Sequence, residues 1–419
     1  MKILFTTHPA AGHLHPMVPV ARALVQAGHE VVFATSRRFV ERVRALGFRA
    51  IEAGFDWLES EGPVTFPEMA TLDFPDINRF FMQQLFTDRL ARPMVDDLLR
   101  FIRSEAPALV VRETWEFAGA IAAERAGIPH AVISAGLNFD IWRHMVIETV
   151  SALRCDYDLP PDPELRFLER HLVLDHVPTS LQYPQLAQPA TRQAVGKVFF
   201  DSDSAAHDAA LRTLDAPLVY VTAGTVFNRM PGYFRTIVEA LAEEQVRVIV
   251  TTGMSGADAA DIGVPKLPSN VSLARYIPQS QLLQRSALMI SHGGFNTVLG
   301  AVNHGVPLIT IPIAADQGQN GLRTAATGCG VCLPFHDRVA TFPLCQDLAE
   351  APLFSVDSLR DATRLVLRDQ SFAIKSHALQ LEALAMPGPM AAVRAMERLV
   401  RGETLLPNDR NVTPPTVSV

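Results

Sequence analysis

ALMISHGGFNTVLGAVNHGVPLITIPIAADQGQN, residues 287–320, indicates how this chain folds. Its apolar run Leu288–Ile290 predicts a buried strand, and the glycine pair Gly293-Gly294 predicts a tight turn after it. The periodicity then predicts a helix over Phe295–His304 and a second strand over Val306–Ile313. Strand, glycine turn, helix and strand in this order are typical of an α/β fold with a parallel sheet.

The glycine turn is also a predicted phosphate site, because a helix that opens directly after it presents free N–H groups and a positive dipole end to an anion. His292 precedes the turn, and Asn296 and Thr297 in the first helical turn add side-chain donors, whereas the lysine of a Walker motif is missing. Asp316 and Gln317 follow the next strand and offer acceptors and an amide to hydroxyl groups. A site for phosphate on one side and for a polyol on the other indicates a nucleotide sugar as the ligand.

Four segments in order along the chain carry a resemblance to a known family. They read GHLHP at 12–16, VYVTAGT at 219–225, ARYIPQSQLL at 274–283, and HGGFNT at 292–297 with GVPLITIPIAADQ at 305–317. Together they resemble the inverting, nucleotide-sugar-dependent glycosyltransferases of the GT-B fold, and most of all the actinobacterial subgroup that decorates polyketides and other antibiotics. This resemblance implies an α/β protein with two doubly wound, Rossmann-like domains that face a cleft.

At 419 residues the chain is long enough for two α/β domains of about 200 residues each. We expect an acceptor-binding domain over residues 1–205 and a nucleotide-sugar-binding domain over 216–385, joined by a linker. The resemblance implies that a helix at 386–402 returns to the first domain. The polar, proline-rich tail over 403–419 is expected to be disordered.

Composition and charge exclude several other classes of protein. Hydrophobic residues make up 48% of the chain and charged residues 19%, which predicts a well-cored globular protein. A net charge of −7 argues against a nucleic-acid partner, because no basic face is apparent to neutralise phosphates. No apolar stretch is long enough to span a bilayer, and the first residues read as a strand and loop rather than as a secretory signal. We therefore expect a cytoplasmic protein.

Three histidines, His8, His13 and His15, are expected in the loop between the first strand, Lys2–Thr7, and a helix that begins at Pro16. This loop lies at the carboxyl edge of a parallel sheet, where open α/β folds bind ligands. An imidazole suits general-base chemistry because its pKa lies near neutrality. The resemblance assigns the base to His13, with His15 as its rival. The missing GxGxxG motif argues against a dinucleotide-dependent oxidoreductase.

A carboxylate partner for the base is expected at the end of the predicted strand ALVVRETW, residues 108–115. The resemblance implies an acidic residue there that bonds the far ring nitrogen of His13, and Glu113 matches that position. Such a carboxylate would fix the tautomer of the imidazole and stabilise its charged form. Plant relatives have aspartate at this position, and Glu116 is the second candidate.

The segment over residues 54–93 is long and aromatic, with prolines and acidic residues between its rings, and it lacks a regular period. It is typical of the lining of a pocket for a flat or greasy ligand, although a surface excursion held by its own aromatic residues fits equally well. The resemblance implies that Asn138, Phe139 and Trp142, which follow the predicted strand over 130–136, face the acceptor. The acceptor-site candidates are Trp57, Phe81, Phe86, Asn138 and Trp142.

The resemblance also places the donor nucleotide. It implies that Tyr276 stacks on the base, that Ile277 offers its backbone to the base edge and that Gln279 bonds the ribose. Plant relatives that use uridine sugars carry a glutamate for both ribose hydroxyls where this chain has Gly300. A thymidine-diphosphate deoxysugar is therefore expected, with a uridine sugar as the alternative. The donor-site candidates are Gly12, Thr225, Tyr276, Ile277, Gln279, His292, Gly293, Gly294, Asn296, Thr297, Asp316 and Gln317.

Two patterns raise the question of a metal. Asp201 and Asp203 follow an apolar run in VFFDSD, as in metal-dependent glycosyltransferases of another fold, but those proteins lack the HGG turn, and a solvated edge is the preferred interpretation. Cys329 and Cys332 have CxxC spacing, yet zinc would need two further soft ligands, and only Cys345 is close in sequence. We therefore expect neither a metal nor a disulfide framework.

These observations predict a metal-independent inverting glycosyltransferase that moves a sugar from a nucleoside diphosphate to a hydroxyl of a hydrophobic natural product, such as an aromatic polyketide, an enediyne or a macrolide. Its partners would be this small acceptor and a dTDP- or UDP-sugar, which is a co-substrate, so that no cofactor is needed. The alternatives are a nucleotide-sugar epimerase or hydrolase of the same fold and a noncatalytic sugar-binding helper subunit. Monomer and homodimer both stay open.

Overall fold

The computed structural model describes residues 1–405 apart from Asp73, 197–198, 202–215, 227, 229, 231 and 254–257. The chain divides into two compact units. The first comprises Met1–Pro178, Tyr183–Phe200 and the chain from Leu384 on, and the second comprises Thr179–Gln182 and Asp201–Ala383. Most of the predicted linker before residue 216, Asp203 included, and the predicted tail beyond residue 405 lie outside the described residues.

The first unit is built on a sheet of seven parallel strands. In chain order they are β1 (Lys2–Thr6), β2 (Glu30–Thr35), β3 (Arg49–Glu52), β4 (Leu109–Glu113), β5 (His130–Ile133), β6 (Leu172–Asp175) and β7 (Arg192–Ala194). Their spatial order is β3-β2-β1-β4-β5-β6-β7, so the direction of winding reverses between β1 and β4. Ligands of open α/β sheets bind outside the carboxyl ends of the strands at such a switch point.

The helices of the first unit include a short one directly after β1. In chain order they are α1 (Ala11–Leu14), α2 (Val18–Gln26), α3 (Arg37–Ala45), α4 (Gly62–Thr65), α5 (Phe74–Arg79), α6 (Ala91–Glu105), α7 (Ala118–Ala126) and α8 (Asp140–Asp156), with a π-helix over Phe80–Arg89. The prediction of a loop up to Pro16 is therefore wrong, because α1 is already helical. Ala10 starts this turn in an extended conformation, and Leu14 is buried beneath it, so His13 is held on a helical turn.

The second unit repeats this architecture with six parallel strands. The strands are β8 (Leu218–Thr222), β9 (Arg247–Thr251), β10 (Val271–Ala274), β11 (Ser286–Ser291), β12 (Leu308–Thr310) and β13 (Gly330–Cys332). The helices are α9 (Tyr233–Leu241), α10 (Gln279–Leu283), α11 (Phe295–His304), α12 (Gln317–Ala326), α13 (Val356–Arg368) and α14 (Gln370–Ala385). The strand order β10-β9-β8-β11-β12-β13 places the switch point between β8 and β11.

The last helix, α15 (Pro389–Val400), belongs to the first unit. Its Val393 and Met396 are buried in the same hydrophobic core as Val20 and Leu24 of α2. Burial of an apolar side chain of this size contributes about 1.5–3 kcal/mol, so this helix is part of the core of the first unit. Within the described part of the chain, no helix combines the length and the apolar character needed to cross a membrane.

The proline-rich stretch over residues 151–190 contains the end of α8 and all of β6. Leu172, Val173 and Leu174 are each at most 5% exposed, because β6 lies between two other strands of the sheet. A buried strand of four residues gives too short a pattern to stand out in a proline-rich stretch.

Candidate active site

His13 and Glu113 meet at the switch point of the first sheet. His13 lies on α1, which follows β1, and Glu113 is the last residue of the neighbouring strand β4. Their side chains approach to 2.9 Å between His13 Nδ1 and Glu113 Oε1, with 11% of the histidine side chain and none of the glutamate side chain exposed. With the imidazole protonated, the two side chains form a buried ion pair.

The second candidate carboxylate, Glu116, is engaged elsewhere. It accepts hydrogen bonds from the Thr6 hydroxyl and, at 2.9 Å, from the Gly119 amide. Burial raises the pKa of Glu116 to about 7. The other oxygen of Glu113 accepts from the Trp115 amide at 2.7 Å, which fixes that carboxylate in place. The structure therefore pairs His13 with Glu113 and not with Glu116.

Glu59, which the sequence analysis did not single out, is the third member of this group. Its Oε2 lies 3.4 Å from His13 Nε2, and only 14% of its side chain is exposed. It begins a 3₁₀ helix over Glu59–Glu61, within the aromatic segment 54–93. Nothing in the sequence singles it out among the seven acidic residues of that segment, because its burial depends on the fold.

The two carboxylates determine the protonation of the histidine. Burial alone would lower the pKa of His13, but Glu113 and Glu59 outweigh this effect and hold that pKa well above its usual value near 6.5. Burial would likewise raise the pKa of Glu113, but the His13 charge keeps it below its usual range. The imidazole is therefore charged at neutral pH as long as both carboxylates face it.

Aromatic rings from the segment over residues 54–93 surround this group. Phe86 stacks on His8 with ring centroids 4.6 Å apart, and the two rings lie 6.2 Å and 5.5 Å from the His13 ring. Trp57 packs edge-on to His8 at 6.3 Å, and Phe81 lies 5.5 Å from Phe86. Three of the predicted acceptor-site residues are thus brought together beside His13, although Trp57 and Phe86 are themselves buried.

The other two acceptor-site candidates lie at the start of α8. Trp142 is buried and packs edge-on to Trp115 with centroids 6.1 Å apart, and the Trp115 carbonyl accepts a hydrogen bond from His8 at 3.0 Å. Asn138 accepts from the Asp140 amide at 2.8 Å and so fixes the beginning of this helix. Trp142 is linked to the histidine group through Trp115, and the role of Asn138 toward an acceptor stays a prediction.

His15, the rival for the base, points to a different place. Its ring packs edge-on to Phe200 at 5.3 Å. Gly12, predicted as a donor-site residue, is exposed on α1 next to His13. The base candidate that meets a carboxylate partner at the switch point is therefore His13.

In the second unit His292 lies at the equivalent switch point, between two glycines. It follows β11, and a methyl group added at Gly224 or Gly294 would come within 2.8 Å or 2.5 Å of its ring. Gly224 and Gly293 also have positive φ angles, of 69° and 84°, which other residues adopt at a cost. Burial lowers the pKa of His292 to about 4, so its ring is neutral, and its buried Nδ1 has no hydrogen-bond partner among the described residues.

The amino terminus of α11 opens beside this ring. Asn296 and Thr297 lie half-buried in its first turn, and the Gly293 carbonyl accepts from the Asn320 amide at 2.9 Å. Asn320 also donates to Asp316 at 3.0 Å, which orients that carboxylate. Backbone N–H groups at the start of α11 and a neutral imidazole form an arrangement that can bind a diphosphate, and the carboxylate held by Asn320 can accept hydrogen bonds from sugar hydroxyls.

The remaining donor-site candidates lie in loops and at helix starts of the second unit. Gln317 is buried, and its Oε1 accepts from the Ile313 and Ala314 amides at 2.9 and 3.0 Å, so its oxygen is committed to the loop after β12. The binding of sugar hydroxyls by Gln317 stays a prediction. Its amide nitrogen is the group that can make this contact, because its oxygen is already bonded. Thr225 is exposed after β8, Ile277 is buried before α10, and Gln279 is the first residue of α10.

Tyr276 and Asp201 are linked in the second unit. Tyr276 is 56% exposed, and its hydroxyl donates to the Asp201 carbonyl at 3.2 Å. The Asp201 carboxylate accepts from the Ser280 amide at 2.7 Å at the start of α10. The solvated edge expected for this aspartate is therefore wrong, since the carboxylate caps a helix. A carboxylate used in this way is poorly placed to be a metal ligand.

Among the described residues, three side chains with metal-ligand atoms lie close together in the first unit. Glu124, His130 and His171 offer ligand atoms within 4.8 Å of one another, at the amino-terminal edge of the first sheet and away from His13. The Glu124 carboxylate, however, is paired with Arg170 at 3.1 Å and lies 3.8 Å from Arg154, so its charge is already neutralised.

The CxxC segment forms the end of the second sheet. All four cysteines of the chain are free, and Cys332 is the last residue of β13, which follows α12. Burial raises the pKa of the Cys332 thiol to about 12. A thiol that stays protonated at neutral pH is neither a reactive nucleophile nor a ready metal ligand.

Comparison with known proteins is consistent with both halves of this architecture. The models of the N-terminal and C-terminal domains of erythromycin biosynthesis protein CIII-like proteins match residues 22–195 and 235–399. The chain is 27% identical to 4'-demethylrebeccamycin synthase of Lentzea aerocolonigenes, over 95% of this chain and 99% of that protein. It is also 27% identical to aclacinomycin-T 2-deoxy-L-fucose transferase of Streptomyces galilaeus, over 95% and 96%. The solved structure of glycosyltransferase VinC in complex with dTDP matches with a TM-score of 0.73 and 25% identity, over 96% of this chain and all of that one.

Two parallel α/β units with these matches define a nucleotide-sugar glycosyltransferase of the GT-B fold. The chain belongs to the erythromycin biosynthesis protein CIII-like family. The predictions of fold class and of glycosyl transfer are confirmed. The alternatives of an epimerase, a hydrolase or a helper subunit find no support among these relatives.

Proposed function

We propose that this protein transfers a deoxysugar from a thymidine diphosphate to a hydroxyl group of a hydrophobic natural product, with inversion at the anomeric carbon. The observation that carries this proposal is the buried His13–Glu113 pair beside a group of aromatic rings. An imidazole backed by a carboxylate is suited to remove a hydroxyl proton, and aromatic walls are suited to a flat apolar acceptor. The relatives that act on antibiotics support the class of acceptor.

The acceptor hydroxyl, the sugar donor, His13 and Glu113 account for every bond and proton of the transfer step. The acceptor oxygen attacks the anomeric carbon while its proton moves to His13 Nε2, and Glu113 stabilises the resulting imidazolium. The bond from the anomeric carbon to the diphosphate oxygen breaks, and the nucleoside diphosphate leaves with the electron pair. Attack from the side opposite the leaving group inverts the configuration. Because Nε2 must be unprotonated to accept the proton, kcat/KM rises with pH through the raised pKa of His13.

The second unit supplies the site for the leaving group. His292, the amides at the start of α11 and the positive end of that helix dipole can stabilise the negative charge of the departing diphosphate. Asp316 is the candidate for the sugar hydroxyls, since Asn320 holds its carboxylate in place.

A cytoplasmic location stays a prediction.

Thymidine diphosphate is expected to bind at least as tightly as uridine diphosphate. The chain has buried Gly300 where uridine-specific plant relatives carry a ribose-binding glutamate, and VinC was solved in complex with dTDP. Without a carboxylate at this position, the 2′-hydroxyl of a ribose gains no hydrogen bond, which would be worth about 0.5–1.5 kcal/mol. Calorimetric titration of both diphosphates measures the difference. A preference of tenfold or more for uridine diphosphate would contradict the assignment of the donor.

Excess chelator is expected to leave the rate of transfer unchanged. The diphosphate is stabilised by helix amides and a neutral imidazole, and Asp316 is the one carboxylate between residues 287 and 320. Turnover is measured with EDTA and then with added Mg²⁺. A loss of activity on chelation that Mg²⁺ restores would show that a metal takes part.

The direct test of the proposed function is a transfer assay with a panel of substrates. The protein is incubated with thymidine- and uridine-linked sugars and with aromatic polyketide, macrolide and polyphenol acceptors, and products are read by mass spectrometry. An acceptor whose mass increases by one sugar supports the proposal. Release of free sugar with every acceptor would instead indicate a hydrolase.

A further inference from the structure

The ring nitrogen of His13 that must take the acceptor proton is already occupied. Nδ1 faces Glu113 at 2.9 Å, so Nε2 is the nitrogen left for the acceptor hydroxyl. Glu59 Oε2 lies 3.4 Å from that nitrogen, and both side chains are largely buried. The imidazole is therefore held between two carboxylates, whereas a simple base needs only one.

Backbone contacts fix Glu59 in this position. Its amide donates to the Pro9 carbonyl at 3.4 Å, which ties the 3₁₀ helix over Glu59–Glu61 to the turn before α1. Two residues earlier, Trp57 exchanges hydrogen bonds with the Ser36 hydroxyl at 2.8 and 3.0 Å. The Glu59 carboxylate is thus delivered to His13 by an anchored segment.

The other charged groups near His13 do not compensate these two carboxylates. Burial lowers the pKa of His8 to about 4, so that ring is neutral, and its Nε2 donates to the Trp115 carbonyl. The buried Arg112 donates to main-chain carbonyls, including those of Glu113 and Thr114. Glu116 is bonded to Thr6 and Gly119, as described above. The charge that faces Nε2 directly is that of Glu59.

We propose that Glu59 is a positioning residue that blocks the base: it holds the protonated His13 Nε2 in the protein without acceptor, and before transfer this proton is released to solvent and the acceptor hydroxyl takes the place of Glu59. This inference rests on the proposed function, in which His13 removes the acceptor proton. Its consequence is protection of the donor. A water molecule that lost its proton to Nε2 could attack the anomeric carbon, break the bond to the diphosphate and release free sugar. With Nε2 occupied and protonated, His13 cannot accept that proton.

The test compares Glu59→Gln with Glu61→Gln. The glutamine keeps the size of the side chain and removes its charge, and Glu61 lies on the same 3₁₀ helix but is half-exposed and paired with Arg38. The acidic limb of the kcat/KM profile for transfer should move to lower pH by about one unit or more in Glu59→Gln, because an opposite charge at this distance shifts a pKa by about 1–3 units. Glu61→Gln should keep the wild-type profile.

Hydrolysis of the donor without acceptor is the second measurement. The rates are compared at a pH below the acidic limbs of the wild-type and Glu59→Gln profiles. There Glu59→Gln should release free sugar about tenfold faster than the wild type, since a change of one unit in the pKa of His13 changes its neutral fraction tenfold. Glu61→Gln should hydrolyse the donor at the wild-type rate. A profile and a hydrolysis rate of Glu59→Gln that match those of Glu61→Gln would overturn the proposal.

A titration of the wild-type protein covers the case in which Glu59→Gln does not fold. The imidazole C–H resonance of His13, assigned by its absence in His13→Ala, is followed by NMR against pH without acceptor. Titration well above the usual range supports the two-carboxylate arrangement, and titration near the ordinary value overturns it. Full transfer activity of His13→Ala would instead remove the base from the proposed function, so the two failures are distinguishable.

Discussion

Replacement of His13 by alanine is expected to lower the rate of sugar transfer by about 10²–10⁴-fold, the usual contribution of a general base. Binding of nucleoside diphosphate should stay within about twofold of the wild type, because the predicted diphosphate site, around His292, belongs to the other unit. Steady-state kinetics with a competent acceptor measures the first quantity, and calorimetry with thymidine diphosphate measures the second.

His15→Ala is the matched control for this experiment. His15 lies two residues further on and packs against Phe200, so its loss should leave the transfer rate within a few-fold of the wild type. If His15→Ala lost activity while His13→Ala kept it, the base would have to be reassigned to His15. If neither substitution mattered, the reaction would not depend on a histidine of this segment.

Replacement of His292 by alanine is expected to weaken the binding of thymidine diphosphate at least tenfold. The neutral ring can donate a hydrogen bond to a charged phosphate oxygen, and such a bond is worth about 1.5–3 kcal/mol. The ring also fills the space between Gly224 and Gly294, so its removal loosens the turn that precedes α11. Calorimetric titration of the purified variant measures the change.

His304→Ala is the control for the diphosphate site. His304 is the last residue of α11, where the helix dipole is negative, and its ring contacts the Gly300 carbonyl of its own helix at 2.8 Å. The dissociation constant of this variant should equal that of the wild type. An unchanged dissociation constant in His292→Ala would contradict the assignment of the diphosphate to this turn.

The parts of the fold that follow strong local patterns could be predicted from the sequence. Phe295–His304 is helical with the predicted bounds, because Gly293 and Gly305 adopt the positive φ angles, 84° and 66°, that the turn before this helix and its end require. The apolar run Leu288–Ile290 was also predicted correctly as a buried strand, since it lies within β11 and each of its residues is 0% exposed. The pairing of His13 with Glu113 needed the family resemblance, because 100 residues separate them and a parallel sheet brings them together.

The parts that could not be predicted depend on tertiary contacts. Glu59 lies in a segment without a regular period, and its proximity to His13 follows from the contacts of that segment with Pro9 and Ser36. Asp201 was expected at a solvated edge, but it caps α10, which begins 78 residues later in the chain. Neither contact can be recognised from the sequence nearby, because a hydrogen bond between distant segments requires a particular residue at only one position in each segment.

The anomeric configuration of the product shows directly whether His13 promotes an inverting sugar transfer. The wild-type protein, His13→Ala and His15→Ala are supplied with a thymidine-linked sugar and an aromatic or macrolide acceptor, and the anomeric coupling of the purified product is read by NMR. The account predicts a glycosylated acceptor whose anomeric configuration is opposite to that of the donor, formed by the wild type and by His15→Ala and lost in His13→Ala. A product that retains the donor configuration, or the same product formed at full rate by His13→Ala, would contradict it.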